Sequence, residues 1–321
     1  MGIRRFVVYM LSSICAAASA GVACSQSFPS KPIRIVTSET GGGNDFTARA
    51  ISPELSNALG QQVIVDNRGG AGGLIAIDTV AKAQPDGYTL VLYNNGMWTL
   101  PLIQKLPYDP VRDFSPITLA TTTPNILVVH PTVPVNSVKD LIALAKSKPG
   151  ELNYATGGTG SSNHLAAELF NSMAGVKTVR IPHKGSGPAL IGLMGGQTQL
   201  MFPNAAAVTP HLKSGRLKAL AVTSLQPSIL FPGLPTVAAS LPGYESVSPF
   251  GIFAPAQTPV AVVRRLNQEI VKVLARADVR ERFLNTGVEV VGSTPEEFAS
   301  AMKADITRLS KVVKESGIRA D

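Results

Sequence analysis

The feature that most constrains the fold is a regular alternation of apolar strands and amphipathic helices in the first third of the chain. Short apolar strands are predicted at residues 32–36, 62–66 and 88–93, each bounded by glycine, proline or asparagine. Each of the two intervals between them has room for one helix and shows apolar residues at helical spacing. This alternation indicates a largely parallel sheet that helices cover on both faces.

A second α/β unit follows after residue 125. Its predicted strands and helices alternate again, and its length suits a small domain. Apolar runs at 126–129 and 248–254 are interpreted as strands that cross between the two units, and two amphipathic helices close the chain. The sequence therefore predicts two α/β units joined by two crossing strands, with the closing helices packed on the first unit.

Two loops of the same design join a strand to a helix, one in each unit. The first spans residues 37–45 and holds three consecutive glycines, and the second spans 156–164 with Gly157, Gly158 and Gly160. Glycines allow the backbone to approach a ligand closely, and free amides at a helix N-terminus attract a carboxylate or phosphate. One such loop alone is most often an ordinary capped turn, but the pair points to an anion-binding site.

Short polar side chains are predicted to cap the helices that follow these loops. Asn44 or Asp45 is the expected cap of the first helix, and Ser161, Ser162 or Asn163 is the expected cap of the second. Their side-chain oxygens can accept hydrogen bonds from amides that lack a partner in the first helical turn.

The segment that follows the third strand lies at the same carboxyl edge of the sheet as the first loop. Ligands of open α/β sheets bind at this edge. The segment contains Trp98, the only tryptophan of the chain. A core position is the default for this residue, and a wall that faces the ligand is the alternative.

The N-terminus has the pattern of a cleavable export signal at residues 1–27. Two arginines precede an apolar run that gives way to small residues, and cleavage is expected before Phe28, with cleavage after Ala20 as the alternative. Cys24 gives a weak match to a lipoprotein signal. Both cysteines, Cys15 and Cys24, lie upstream of Phe28, so disulfides are not expected and the periplasm is the predicted location.

The distribution of charge argues against nucleic acid as a partner. The formal charge of +8 falls to +6 once Arg4 and Arg5 are removed with the signal. Basic residues alternate with acidic ones along the closing helices, and no basic run is interleaved with aromatic residues, so no nucleic-acid partner is predicted. A mild positive field helps to attract anionic solutes, and it is equally compatible with a role in solubility alone.

The sequence lacks the signatures of common catalytic and cofactor sites. Gly158-Thr159-Gly160 is not followed by the third glycine of the dinucleotide fingerprint, and there is no P-loop and no Gly-x-Ser-x-Gly elbow. His164 and Glu168 share a helix face, yet the histidine pair of a zinc protease is missing, which favours a cap-region role for His164. No metal, cofactor or catalytic residue is predicted.

A series of short motifs runs in order through the chain from about residue 28 to residue 321, among them Gly-Gly-x-x-Asp ending at Asp45 and Pro-Asp-Gly-Tyr-Thr-Leu at 85–90. The motifs lie at residues 35–49, 65–73, 85–90, 106–110, 113–114, 152–166, 184–185, 201–202, 220–223, 234–236, 242–245 and 294–298. They resemble the Bug (Bordetella uptake gene) family, the substrate-binding proteins of tripartite tricarboxylate transporters.

The resemblance implies a two-lobed, type II-like periplasmic binding protein fold of class α/β, each lobe a mixed, mostly parallel sheet flanked by helices. Lobe 1 would comprise residues 28–125 and 249–321, and lobe 2 residues 126–248. It also implies a carboxylated ligand between the loops, held by amides, hydroxyls and bridging waters. The ligand-binding residues expected on these grounds are Ser38, Glu39, Gly42, Gly43, Asn44, Asp45, Trp98, Thr156, Gly157, Thr159, Ser161, Ser162, His164 and Asn204.

One departure from the family pattern concerns Glu39. Many members have an apolar turn with proline and an aromatic residue before the glycines, whereas this chain has Thr37-Ser38-Glu39-Thr40. A Glu39 that points inward would repel a polyanion and would suit an ammonium, a hydroxyl or a bound cation. A Glu39 that points to solvent or accepts bonds from loop amides would leave the site free for an anion, and both readings stay open.

The sequence thus predicts a monomeric, non-enzymatic protein that captures a small carboxylated organic solute and delivers it to the permease subunits of a tripartite tricarboxylate-type transporter. The ligand would favour lobe closure by hinge bending near Ile126 and Ser248. Two alternatives stay open: a periplasmic enzyme that acts on a small organic acid, and a sensor subunit that presents its ligand to a signalling receptor.

Overall fold

The computed structural model describes residues 28–38, 40–70, 73–228 and 230–316. The predicted signal peptide, both cysteines and Glu39 lie outside these ranges. The strands and helices named below all belong to one compact unit, Lys31–Asp321.

The strands of the described chain form two sheets. In chain order they are β1 (Ile33–Thr37), β2 (Val63–Asn67), β3 (Thr89–Asn94), β4 (Phe114–Pro124), β5 (Ile126–Val129), β6 (Asn153–Thr156), β7 (Val179–Pro182), β8 (Leu200–Met201), β9 (Lys218–Val222), β10 (Val247–Pro255) and β11 (Glu289–Val290). The three strands predicted in the first third of the chain are all present, and the largest error in their bounds is about one residue.

Helices cover both sheets. In chain order they are α1 (Gly43–Leu59), α2 (Leu74–Ala81), α3 (Gly96–Thr99), α4 (Val138–Ser147), α5 (Ser162–Ala174), α6 (Ser186–Met194), α7 (Ala205–Lys213), α8 (Val260–Ala275), α9 (Ala277–Leu284) and α10 (Pro295–Ser316), with 3₁₀ turns at Leu100–Leu102 and Val237–Ala239. Within the described ranges, none of them combines the length and the hydropathy that a bilayer crossing needs.

The first sheet has the strand order β11-β4-β10-β3-β1-β2. Strand β1 pairs in parallel with both β2 and β3, which confirms the parallel arrangement predicted for these three strands. The long strands β10 and β4 extend the sheet in antiparallel fashion. Because β1, β2 and β3 run in the same direction, the loops that follow them leave from one edge of the sheet.

The second sheet has the strand order β7-β6-β8-β5-β9. Strand β6 pairs in parallel with β7 and β8, and β5 pairs antiparallel with β8 and β9. Each sheet has its own apolar core: Tyr154, Phe170 and Phe202 are buried against the second sheet, and Phe253 and Phe298 against the first. Helices α8 and α10 pack on β4, so the closing helices lie on the first sheet as predicted.

Helix ends show which local signals were reliable. A glycine after a run of helical periodicity predicts a helix end, and helix α1 does end before Gly60, which takes the left-handed conformation at φ 64°. Thr294, followed by proline and two glutamates, predicts a helix start, and it is confirmed: Thr294 and Glu297 bond reciprocally to each other's backbone N–H at 3.2 and 2.9 Å in a capping box. The prediction that Asn44 or Asp45 caps α1 is wrong, because the helix already begins at Gly43 and no side chain caps it.

Replacing Gly251 of β10 with alanine should destabilise the protein. An added Cβ would overlap the ring of Phe298 in α10, and both residues are buried. Overpacking of this kind lowers the free energy of unfolding by about 1–3 kcal/mol, which urea denaturation would measure. Combining the change with Phe298→Leu should recover part of the loss.

Gly187→Ala is the matched control, because nothing lies within 4 Å of a Cβ added there. It should change the free energy of unfolding by less than about 1 kcal/mol in either direction. Equal losses in the two variants would contradict the overlap at Phe298.

Candidate functional site

The first loop leaves β1 and enters α1, and a buried carboxylate holds its backbone. Gly41 donates its N–H to Oδ2 of Asp45 at 2.9 Å. Oδ1 of Asp45 accepts from Nε of Arg49 and from Nδ2 of Asn67, both at 2.8 Å. Asn67, at the end of β2, also donates to the backbone oxygen of Ser38 at 3.0 Å. Asp45 therefore ties the glycine turn to the neighbouring strand.

The same bonds set the charge of Asp45. Burial alone would raise the pKa of this carboxyl, but the donors on Gly41, Asn67 and Arg49 outweigh burial and hold the pKa below its usual range. The carboxylate is therefore ionised at neutral pH although its side chain is only 5% exposed. Because both oxygens are already bonded within the loop, we assign Asp45 as a positioning residue and not as a ligand contact.

Ser38 and Asn44 form a second buried contact across this loop. Nδ2 of Asn44 donates to Oγ of Ser38 at 2.9 Å. Asn44 is 6% exposed and Ser38 is 5% exposed. Gly42 stands at the N-cap position and Gly43 opens the helix, so the predicted residues Ser38, Gly42, Gly43 and Asn44 gather at the N-terminus of α1.

Asn163 has the corresponding part in the second loop, between β6 and α5. Its Oδ1 accepts from the N–H of Gly157 at 3.2 Å and from the hydroxyl of Ser161 at 2.6 Å. Its Nδ2 donates to Oγ of Ser186, the first residue of α6, at 3.0 Å. Ser161 occupies the N-cap position, but its side chain caps no amide. Sequence analysis named Asn163 only as a cap, and it missed this link between two helix starts.

Two threonine hydroxyls of the second loop accept hydrogen bonds from Arg180. Its Nε donates to Oγ1 of Thr156 at 3.0 Å, and its Nη2 donates to Oγ1 of Thr159 at 2.9 Å. Arg180 lies on β7 opposite Tyr154 of β6, and this pairing brings a positive charge to the loop. Arg180 was not among the predicted site residues, although it is a lone charged residue in the strand predicted at 179–182.

His164 is held within the second loop. Its Nδ1 accepts from the N–H of Gly160 at 3.0 Å, and the residue is 4% exposed, in agreement with the predicted cap-region role. Glu168, the other member of the metal pair considered above, accepts from the hydroxyl of Tyr154 instead. In the part of the chain that the structure describes, no group of three or more His, Cys, Asp and Glu residues is placed to hold a metal.

Residues of the two sheets approach each other at Gly43 and Asn204. Asn204 directly precedes α7, in the part of the chain that forms the second sheet. A Cβ added to Gly43 would lie 2.8 Å from Cζ of Phe250 and 3.8 Å from Oδ1 of Asn204. A Cβ added to Gly160, in the second loop, would overlap Cδ2 of Leu100 in the 3₁₀ turn after α3. Glycine is therefore required for the close approach at both loops.

Sequence comparison identifies the family. A sequence model described as tripartite tricarboxylate transporter family receptor matches residues 47–318, which is most of the chain. The chain belongs to this family. BugT of Bordetella pertussis is 36% identical to the receptor over 310 residues, covering 94% of the receptor and 95% of BugT. The resemblance to Bug proteins that the motifs indicated is confirmed.

Solved structures confirm the fold. An R. palustris protein solved with adipate superposes on the receptor with a TM-score of 0.87 and 37% identity, covering 92% of the receptor and 100% of that chain. For the periplasmic binding protein BugD the TM-score is 0.84 at 33% identity, and the match covers 92% of the receptor and 100% of the BugD chain. For MatC from Rhodopseudomonas palustris with bound malate the TM-score is 0.83 at 32% identity, and the match covers 89% of the receptor and 100% of the MatC chain.

These similarities establish the broad role of the receptor. It has a mixed α/β periplasmic binding protein fold, as predicted. The family and its structural neighbours are solute-binding proteins and not enzymes, so the enzymatic alternative is dropped.

Trp98 is a core residue of the receptor, and its assignment as a ligand contact is corrected. Its side chain is 1% exposed, and its Nε1 donates to Asp305 of α10 at 2.8 Å. Its ring packs edge-on against Phe253 and Phe298, with centroids 6.1 and 6.0 Å away. Nε1, the one polar atom of the Trp98 side chain, is therefore already bonded within the protein.

A single residue, Asn125, forms the junction between β4 and β5 and is fully buried. Its backbone oxygen accepts from the N–H of Thr223 at 3.0 Å and from the Thr223 hydroxyl at 2.7 Å. Its Nδ2 donates to the backbone oxygen of Ser162 at 3.4 Å, and its Oδ1 accepts from the hydroxyl of Ser248 at 3.4 Å. Asn125 therefore touches both chain crossings and the start of α5. Sequence analysis missed it, although a polar residue between two apolar runs was visible.

A separate cavity of about 470 Å³ lies between α7, the 230–234 turn and the end of α9. It includes none of the predicted ligand-binding residues. This cavity is therefore distinct from the loop site.

Asp45→Asn should lower the free energy of unfolding of the receptor by about 1–3 kcal/mol at pH 7, because charge-assisted hydrogen bonds to buried groups are lost. The pKa of Asp45 is lowered in the folded protein. Its contribution is therefore present above the unfolded pKa, about 3.9, and is lost as the pH falls through the lower folded value. The stabilities of wild type and variant should converge below about pH 4, which urea denaturation between pH 7 and pH 3 would measure.

Glu281→Gln is the control for this pH series. Glu281 is exposed, and its side chain has no hydrogen-bond or ion-pair partner among the described residues. This variant should follow the wild type at every pH. A gap between wild type and Asp45→Asn that stays constant down to pH 3 would contradict the assignment.

Proposed function

We propose that the receptor captures a small dicarboxylate between its first and second loops and delivers it to the membrane subunits of a tripartite transporter. The observation that carries the proposal is the pair of strand-to-helix loops, each organised by one buried polar side chain, Asp45 or Asn163. Amides at helix N-termini attract carboxylates. The neighbours solved with adipate and with malate support a ligand that carries a carboxylate at each end.

The proposed contacts divide between the two loops. The first loop offers hydroxyl, amide and backbone groups, and the second adds the charge of Arg180, which bonds Thr156 and Thr159. The proposed ligand-binding residues are Ser38, Gly42, Gly43, Asn44, Thr156, Gly157, Thr159, Ser161, Ser162, His164 and Asn204. Glu39 stays a candidate from sequence alone.

The proposed lobes follow the two sheets. Lobe 1 would comprise residues 28–125 and 249–321, and lobe 2 residues 126–248, and the separate six-stranded and five-stranded sheets support this division. Closure by bending at the two crossings would bring the loops onto the ligand. Asn125 and Ser248, which bond to each other at these crossings, support a hinge at this place.

The proposed location is the periplasm, with export directed by the N-terminal signal predicted at residues 1–27. Membership of a periplasmic receptor family supports this location. The proposed partners are one dicarboxylate and the permease subunits, and the receptor is proposed to act as a monomer.

A panel of small acids tests the proposal directly. Succinate, malate, adipate, citrate, benzoate and glutamine would be added to the purified mature receptor, and the shift in Tm would be recorded. Ligands that bind only the folded state stabilise it by about 2.7 kcal/mol at a hundredfold excess over Kd. At least one dicarboxylate should raise the Tm and glutamine should not. A folded receptor that no dicarboxylate stabilises would overturn the proposal.

Arg180→Met should weaken dicarboxylate binding by about tenfold or more, because a charge-assisted hydrogen bond near the ligand and the order of two threonine hydroxyls are lost together. Isothermal titration calorimetry with the best ligand of the panel would measure the loss. Lys184→Met removes the same charge from an exposed side chain nearby in sequence and is the matched control. Equal losses of affinity in the two variants would show that Arg180 contributes only long-range electrostatic attraction.

A further inference from the structure

Asn44 carries a buried acceptor without a partner. Its side chain is 94% buried, since only 6% of it is exposed, and its Nδ2 donates to Oγ of Ser38 at 2.9 Å. Its Oδ1, also buried, has no hydrogen-bond partner among the described residues. A buried amide oxygen without a partner is unfavourable, so an incoming donor would be bound favourably there.

Ser38 supplies the complementary group beside it. Its Oγ accepts from Asn44, and its backbone oxygen accepts from Asn67. Its hydroxyl hydrogen has no acceptor among the described residues and can be donated to a bound oxygen. Adjacent side chains at the start of α1 therefore present one donor and one acceptor.

An unsubstituted carboxylate can bond to the Ser38 donor but not to the Asn44 acceptor. Carboxylate oxygens accept hydrogen bonds from Ser38 and from the first-turn amides of α1, but they repel the oxygen of Asn44 because neither atom carries a hydrogen. A hydroxyl on the carbon next to the carboxylate would reach the acceptor while the carboxylate occupies the donors. A 2-hydroxy acid thus matches both groups at once.

We infer that the first loop selects a dicarboxylate with a hydroxyl on the carbon adjacent to one carboxylate, and that Oδ1 of Asn44 accepts the hydrogen of this hydroxyl. The inference rests on the proposed function, since it assigns a ligand class to the same site. One carboxylate on the first loop, the hydroxyl on Oδ1 of Asn44 and the second carboxylate on the second loop would fix the acid at three points, so one enantiomer of the hydroxy acid should fit better than the other.

The opposite orientation of the Asn44 amide leads to a different ligand. If oxygen and nitrogen exchanged places, Ser38 would donate to Oδ1, and Nδ2 would become a donor suited to an unsubstituted carboxylate. The two orientations give the Asn44 side chain the same shape, but one presents an acceptor to the ligand and the other presents a donor. Ligand selectivity therefore separates them.

The experiment compares L-malate, D-malate and succinate, which share a four-carbon skeleton and differ only in the hydroxyl and its configuration. Isothermal titration calorimetry on the mature wild-type receptor should give one malate enantiomer a Kd about tenfold below that of succinate. Asn44→Leu keeps a similar volume and removes the acceptor. It should bring the three Kd values to within about threefold of one another.

Asn95→Leu is the matched control. Asn95 is 5% exposed, and its Oδ1 is also without a partner among the described residues. It follows β3, which pairs beside β1, at the same edge of the sheet. This variant should keep the preference for one enantiomer. Asn44→Ser is the second variant if circular dichroism shows that Asn44→Leu does not fold, and it should reduce the preference likewise.

The possible results distinguish failure of this inference from failure of the proposed function. Equal binding of the three acids by the wild type, or a preference for succinate, would overturn the inference and leave the proposed function standing. Selectivity that survives in both Asn44 variants, or that is lost in Asn95→Leu alone, would overturn it as well. If no dicarboxylate of any kind binds the folded receptor, the proposed function fails, and the inference fails with it.

Discussion

Two glycine-rich loops are held in fixed conformations at the N-termini of two helices, and the proposed ligand site depends on them. Glycine-rich turns allow this geometry but do not hold it, because glycine loses the most conformational freedom on folding. A buried polar side chain supplies the missing constraint in each loop, Asp45 in the first and Asn163 in the second. Each accepts from an amide of its own loop and bonds to a neighbouring element, Asn67 of β2 or Ser186 of α6.

The two sheets are joined at a buried polar junction. Asn125 links β4 to β5 and bonds Thr223, Ser162 and Ser248, so one buried side chain and its backbone contact both crossings and the start of α5. Buried polar networks of this kind are stable only while their members stay paired. The proposed closure and the second loop share this contact, because Asn125 bonds both Ser248 at one crossing and Ser162 at the start of α5.

Local signals were read correctly from the sequence wherever the physical cause was local. The end of α1 before Gly60 and the capping box of Thr294 and Glu297 depend on residues within a few positions of each other. The core position that is the default for Trp98 is correct, and its inclusion among the ligand contacts was wrong because Asp305, which accepts from its indole N–H, is 207 residues away in the chain. The cap of α1 failed for a related reason, since Asp45 is drawn to Gly41 and Asn67 instead of capping the helix.

By itself, the sequence determined the α/β alternation, the two glycine loops and the family, because hydrophobic periodicity, glycine and motif order are properties of neighbouring residues. Tertiary structure alone decided which polar groups of those loops have hydrogen-bond partners within the protein. Parallel pairing of β6 and β7 brings Arg180 to Thr156, and parallel pairing of β1 and β2 brings Asn67 to Asp45. Such contacts join residues far apart in the chain, and no local pattern encodes them.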